Sequence, residues 1–305
     1  MKVFDNIKDF VKIKKAVVTI GTFDGVHVGH VKILKKLIQK SKEINGESVV
    51  ITFSPHPRKV IFKDNNLKLL NTDEEKILLL KNIGIDNLII HPFTKEFSRI
   101  SSVEFVRDIL INKIGTKILI IGYNHQFGRN REGSFDDLLE YSNIFDFKVQ
   151  KISVEEVDNI SVSSTKIRDA IFNGDFEIAG KYLNYEYNFL GLVRKGDRLG
   201  RTINFPTANL ELMNENKLIP KDGVYYVIVE IEKQQHKGML NIGFSPTIGK
   251  GMKKIEVHII DLDRDLYDKT IKITFKKWIR LEKKFNDLIE LKKQLEIDLK
   301  FIKKI

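Results

Sequence analysis

Gly21-Thr22-Phe23-Asp24-Gly25-Val26-His27-Val28-Gly29-His30 separates an apolar run, Ala16-Val17-Val18-Thr19-Ile20, from a helical pattern, Val31-Lys32-Ile33-Leu34-Lys35-Lys36-Leu37-Ile38. A glycine-rich turn between a buried strand and a helix leaves backbone N–H groups facing outward, where a phosphate can accept from them. The two histidines fall three apart at the first turn of that helix, on one side of the same anion. Gly21, Phe23, Asp24 and Gly25 are therefore candidate positions around the phosphates of a nucleotide triphosphate, with His27 and His30 as candidate catalytic residues. The alternative is a core strand and helix with two surface histidines, which leaves the coincidence of glycine, aspartate and histidine unexplained.

Working outward, residues 1–185 alternate apolar strands with amphipathic helices. Strands are expected at Val17–Thr22, Ser48–Phe53, Asn87–Phe93, Lys117–Gly122 and Phe147–Ile152, and helices at Val31–Lys42, Asp73–Asn82 and Ser102–Lys113. Thr72, Ser101 and Ser164 read as helix N-caps. This order predicts a parallel sheet covered on both faces. Ligands of such sheets bind beyond the carboxyl ends of the strands, where the Gly21–His30 turn and the loop after Gly122 both fall. After Asn184 short strands take over: Phe189–Val193, Gly223–Ile231, Lys237–Ile242, Ile255–Leu262 and Thr270–Phe275. That spacing predicts a small antiparallel barrel, closed by an amphipathic helix from Glu282 to about Phe301. The expected domains are 1–185 and 186–305.

The chain has 305 residues, 42% of them hydrophobic and 30% charged, a composition suited to an ordinary globular protein with two cores. No apolar run is long enough to span a bilayer, and the amino terminus carries charges throughout, unlike a secretory signal. The absence of cysteine excludes disulfides and thiolate metal sites and fits a cytoplasmic location. The net charge of +11 raises the question of nucleic acid. The lysines are spread along the whole chain, however, and several lie on the polar side of an amphipathic helix. Attraction of small anionic substrates is the more economical use, so no nucleic-acid or membrane partner is expected. Oligomeric state is left open.

The decapeptide resembles the H-x-G-H signature of the nucleotidyltransferase superfamily. Two further segments narrow the resemblance to FAD synthetases. Ser163-Ser164-Thr165-Lys166-Ile167-Arg168 opens a helix with three hydroxyls and two cations at the positive end of its dipole. A plain helix cap explains it equally well by spacing alone, but the run resembles the family's I-S-S-T-x-I-R segment. That resemblance implies Ser164, Thr165 and Arg168 as triphosphate contacts. Gly122-Tyr123-Asn124-His125-Gln126-Phe127-Gly128 resembles a flavin-side loop with Asn124 at its polar position, although His125 stands where the family usually has Phe. Thr52-Phe53-Ser54-Pro55-His56-Pro57-Arg58 is similar to the T-F-x-P-x-P segment, which implies Phe53 and Pro55 beside a flavin. From the residues alone it is a rigid turn, with His56 incidental and His91 structural. The implied fold is a Rossmann-like nucleotidyltransferase domain.

The second half carries Gly191-Leu192-Val193-Arg194-Lys195-Gly196-Asp197-Arg198-Leu199-Gly200-Arg201, then Phe205-Pro206-Thr207-Ala208-Asn209-Leu210. Gly191, Gly196 and Gly200 permit a tight turn over a nucleotide. Thr207 and Asn209, two apart on an extended segment, offer two neutral oxygens to a hard cation. Glu256 lies in a strand-like alternation with His258 and Ile260 on its face. A strand carboxylate can take a proton from an alcohol, though a lone strand Glu is more often a surface residue. This half resembles riboflavin kinases along almost its whole length, including Asp222-Gly223-Val224-Tyr225, Asn241-Ile242-Gly243, Pro246-Thr247 and Leu266-Tyr267. The resemblance implies Thr207 and Asn209 as Mg²⁺–ATP ligands and Glu256 as base. Asn204 and Asp268 depart from it, each standing where glycine is usual.

The resemblance thus implies a bifunctional enzyme. ATP would phosphorylate riboflavin to FMN in the second domain, and the first would adenylylate FMN to FAD with release of pyrophosphate. An alternative is a riboflavin kinase with a weakened or inactive adenylyltransferase domain, suggested by His125. A different class, a flavin- or RNA-binding regulator on the same folds, is motivated by the charge alone.

Overall fold

A computed structural model describes residues 1–122, 126–152, 162–196, 199–244, 253–262 and 264–305. The contacts divide the chain into two compact units, Met1–Ser164 and Thr165–Ile305.

Among the described residues, the first unit contains six strands: β1 (Lys2–Phe4), β2 (Ala16–Ile20), β3 (Glu47–Ser54), β4 (Asn87–Pro92), β5 (Thr116–Gly122) and β6 (Lys148–Ile152). They form one sheet in the order β1-β4-β3-β2-β5-β6, every neighbouring pair parallel. All five residues of β2 are buried, because it lies between β3 and β5 and is covered on both faces. Alternate side chains divide between two cores. Val18 and Ile20 join Val49, Ile51, Phe105 and Leu110 on one face, whereas Val17 joins Val50, Leu34, Leu37 and Leu80 on the other. This is the period-two alternation of a strand with apolar residues on both sides.

The second face is covered by helices α1 (Val28–Glu43) and α3 (Asp73–Ile83), with α2 (Pro57–Ile61) between them in sequence. The segment expected as one helix over Ser102–Lys113 has two windings: a short α4 (Ser102–Glu104), then a π-helix over Phe105–Ile114. Helix α5 (Phe135–Phe145) follows. Thr72 and Ser101 are N-caps, each in a capping box with Glu75 and Glu104 respectively. Ser164 is instead the first residue of α6 (Ser164–Asn173), and its hydroxyl donates to the Asp24 carbonyl at 2.9 Å.

In the second unit, α6 and α7 (Phe176–Leu183) precede the strands β7 (Asn188–Arg194), β8 (Ala208–Leu212), β9 (Gly223–Ile231), β10 (Gln234–Phe244), β11 (Lys253–Ile259) and β12 (Thr270–Arg280). These close into a barrel in the order β10-β11-β8-β7-β12-β9. Phe176 of α7 stacks on Phe275 of β12, ring centroids 4.9 Å apart. A short helix α8 (Leu199–Thr202) lies between β7 and β8. The last helix, α9 (Leu288–Lys304), covers one outer patch with Leu291, Leu295, Leu299 and Ile302. Its Asp298 takes bidentate hydrogen bonds from Arg280 of β12 at 2.8 to 3.1 Å. Pro206 and the turn residues before it leave β8 five residues, too few for a strand signal in the sequence.

Candidate functional sites

The turn after β2 is strained where the sequence does not announce it. Phe23 and Val26 adopt φ of 47° and 38°, and Gly25 adopts 89°. Positive φ is costly for a bulky or β-branched residue, so the surroundings must hold it in place. Three ties do so. The Asp24 carboxylate, 2% exposed, accepts from the backbone N–H groups of Leu70 and Asn71 at 2.9 and 3.2 Å. Thr52 Oγ1 donates to the Thr22 carbonyl at 3.1 Å, and Gly21 N donates to Ile51 O at 3.0 Å. Asp24, expected to contact phosphate, thus turns its carboxylate towards the segment ahead of α3.

The strained turn delivers His27 to the N-cap of α1, where its Nδ1 accepts from the His30 N–H at 3.4 Å. The two imidazoles stack with centroids 3.6 Å apart and planes 16° apart, and Phe23 meets His30 edge-on at 5.1 Å. Burial pushes the His27 pKa down to about 4. His30 is likewise held well below the ordinary range, first by burial and then by the charges of His27 and Lys76. Both rings are neutral at physiological pH, each with one N–H to donate and one nitrogen to accept. His30 Nδ1 is buried and meets no hydrogen-bond partner among the described residues.

Lys76 belongs to no motif in the sequence and falls within the ordinary helical pattern of α3, yet it is buried. It is 4% exposed, its Nζ lies 3.3 Å from Asp73 Oδ1, and the other Asp73 oxygen accepts from Ser54 Oγ at the end of β3. The available signal was a lysine three residues after the aspartate that opens α3.

Phe53, at the end of β3, packs against Phe93 and Phe97 at 5.3 and 5.6 Å. Pro55 is exposed beside it. His56 caps α2 by accepting from Arg58 N, and His91 accepts from Ile7 N. Asn124 and His125 lie outside the described residues. Thr165 and Arg168 lie on α6 in the second unit, the first exposed and the second half-buried.

The barrel gathers its candidate residues by register. Glu256 of β11 pairs with Asn209 of β8 on one side and Asn241 of β10 on the other, and Asn209 pairs in turn with Arg194 of β7. Directly opposed residues in antiparallel strands share a face. Ile255, Val257 and Ile259 are buried, so this row lies on the outer face. The Asn209 amide lies against Gly196, where any β-carbon would collide with it. Gly200 is similarly closed by the Phe205 carbonyl, whereas a β-carbon at Gly191 would make a tight contact with Leu210. Asn204 and Asp268 adopt φ of 65° and 59°, so both replacements keep the left-handed backbone that glycine would supply. Asp268 also accepts from Arg194 at 3.1 Å. Asp197, Arg198, Pro246 and Thr247 lie outside the described residues.

A parallel sheet with paired histidines at its switch point, followed by a closed antiparallel barrel with an outward carboxylate, defines a two-domain transferase architecture. Comparison with known families gives each half a match: the FAD synthetase model over residues 10–166 and the riboflavin kinase model over residues 183–305. The chain belongs to the family of bifunctional riboflavin kinase/FMN adenylyltransferases. Relatives of that name include those of Listeria monocytogenes, 36% identical over 92% of this chain and 90% of its own, and Haemophilus influenzae, 36% identical over 93% and 92%. That of Buchnera aphidicola is 33% identical over 100% and 98%. A crystal structure from Streptococcus pneumoniae, described as a macrolide-efflux protein, superposes with a TM-score of 0.88 at 30% identity, over 99% of this chain and 98% of that one. Among the described residues, no helix is long and apolar enough to cross a membrane.

Proposed function

We propose that this chain makes FMN and then FAD, the two steps lying in domains 1–185 and 186–305 in reverse order along the sequence. Both family models and the full-length relatives support the two activities. What carries the assignment of residues is the pair of placements just described: stacked neutral histidines at the start of α1, and Glu256 between two amide side chains.

In the barrel, the terminal ribityl hydroxyl of riboflavin loses its proton to Glu256 while its oxygen attacks the γ-phosphorus of ATP. ADP leaves, and FMN carries the new phosphoester. Thr207 is exposed at the entry to β8 and Asn209 is half-buried two residues on. A pair of neutral oxygens suits Mg²⁺, which keeps waters and substrate phosphates as its other ligands. Bound there, the ion would neutralise charge on the phosphates.

In the sheet domain, the FMN phosphate attacks the α-phosphorus of ATP and pyrophosphate departs. The nucleophile is already ionised near neutral pH, so no general base is needed. Alignment and charge compensation suffice. Neutral His27 and His30 contribute as hydrogen-bond donors, with the positive end of the α1 dipole behind them. Gly21, Phe23 and Gly25 shape the turn, and Ser164, Thr165 and Arg168 are assigned to the triphosphate. Phe53, Pro55 and Asn124 are assigned to the flavin. The proposed setting is the cytoplasm, with small flavins and ATP as the partners.

Product analysis from riboflavin and Mg²⁺–ATP tests the assignment. The intact chain yields FMN and FAD. Glu256→Gln loses FMN formation by about 10²- to 10⁴-fold yet still converts supplied FMN to FAD. His27→Ala with His30→Ala has the opposite effect. Loss of both activities in either variant, with the fold intact, overturns the separation of sites.

A further inference from the structure

The ladder that joins β8 to β11 is short. It consists of Glu256 opposite Asn209 and Val257 opposite Ala208. Thr207 would be the next position and Pro206 the one after, but proline has no N–H with which to extend a ladder. The segment that carries both proposed cation ligands is therefore tied to the strand of the proposed base by only two residue pairs. Thr207 itself is exposed.

His258 lies where that ladder stops. It is two residues beyond Glu256 on the same strand, so its side chain stands on the same outer face. Its Nδ1 is 2.8 Å from the Pro206 carbonyl oxygen. A carbonyl only accepts, so Nδ1 carries the hydrogen and donates. The ring also leans on Phe205, centroids 5.1 Å apart. Phe205 is anchored in turn: it is 5% exposed within the cluster under α9, and its N–H donates to the Gly200 carbonyl at 2.8 Å. One imidazole thus ties the Pro206 carbonyl to β11 at the point where the backbone ladder stops.

We infer that His258 is a positioning residue of the kinase site, holding the Pro206–Asn209 segment in register so that Thr207 and Asn209 keep a fixed distance from Glu256. It acts on the nucleotide side of the site through the Pro206 carbonyl and does not touch the transferred phosphoryl group. The inference rests on the assignment of Thr207, Asn209 and Glu256 made above. The side chain needed is a donor at the position of Nδ1, and an asparagine amide reaches nearly the same point, whereas leucine fills the space without donating.

The test is steady-state FMN formation by the full chain carrying His258→Leu, His258→Ala or His258→Asn, titrated separately with Mg²⁺–ATP and with riboflavin. Loss of this hydrogen bond predicts a rise of up to about tenfold in KM for Mg²⁺–ATP in the Leu and Ala variants. Their kcat falls, and the KM for riboflavin stays within about twofold. The Asn variant recovers most of the loss. Conversion of supplied FMN to FAD is unchanged in all three and serves as the internal control. Equal impairment of Asn and Leu variants, an unchanged KM for Mg²⁺–ATP in Leu and Ala, or an equal rise in both KM values overturns the inference. Glu256→Gln and Asn209→Ala are run alongside. If those two leave FMN formation intact, the site assignment has failed; if they abolish it and His258→Leu does not impair it, only the role of His258 has.

Discussion

Histidine 27 illustrates how a residue type legible in sequence acquires its chemistry from packing. The sequence places two imidazoles beside a phosphate site, and a reader could take them for cations. Burial makes them neutral. The unfolded chain titrates His27 near 6.5, whereas the folded chain resists protonation down to about 4. The sign follows: the stability is fully present above pH 6.5 and is lost as the pH falls towards 4, because the unfolded state takes up the proton first. For His27 the loss is about 2 kcal/mol by pH 5, given a folded pKa of about 4. His30 adds to it in the same direction. Urea unfolding of the first unit between pH 7 and 5 should show this decline, and His27→Gln should make it shallower. Parallel curves for the two proteins would contradict a buried neutral His27.

At the scale of elements, two local devices set the frame of the sites. Thr72 and Glu75 cap α3 reciprocally, directly after the residues whose N–H groups Asp24 holds. Thr72→Ala should cost about 1 kcal/mol, read as a lower unfolding midpoint of the first unit. A larger change in FAD formation than in FMN formation is expected with it, since the capped helix also carries Lys76. In the barrel, Arg280 and Asp298 fasten α9 to β12, with Gln294 donating to the same carboxylate at 3.0 Å. Asp298 is 2% exposed, so Arg280→Met leaves a buried charge short of its partner and should destabilise the barrel by about 3 to 5 kcal/mol. Replacing both residues by Met should restore much of that loss. A double variant no more stable than the single one would show that the tie is not chiefly electrostatic.

For the molecule as a whole, the histidine pair and the Glu256 row each lie inside one compact unit. Mixing the Glu256→Gln chain with the His27→Ala, His30→Ala chain should therefore yield FAD from riboflavin, because FMN released by one chain is substrate for the other. Persistent FMN with no FAD in the mixture, when each chain retains its single activity, would show that FMN does not exchange between chains. The parallel sheet and the barrel were both legible beforehand because alternation and helical period are local properties. Gly223–Ile231 is a strand over the full range expected, whereas three-residue β1 was too short to carry a signal.

By itself, the sequence determined the two folds, the reaction classes through its family resemblance, and the candidate residues that lie within each motif. Such features depend on spacing along the chain, which sequence displays directly. Tertiary structure decided what those residues do with their charge and their hydrogen bonds. It turned Asp24 towards Leu70 and Asn71, made His27 and His30 neutral, brought Lys76 to bear on His30, and let His258 reach the Pro206 carbonyl. Each depends on groups far apart in the chain and on burial. Desolvation and register exist only once strands have paired and helices have covered them.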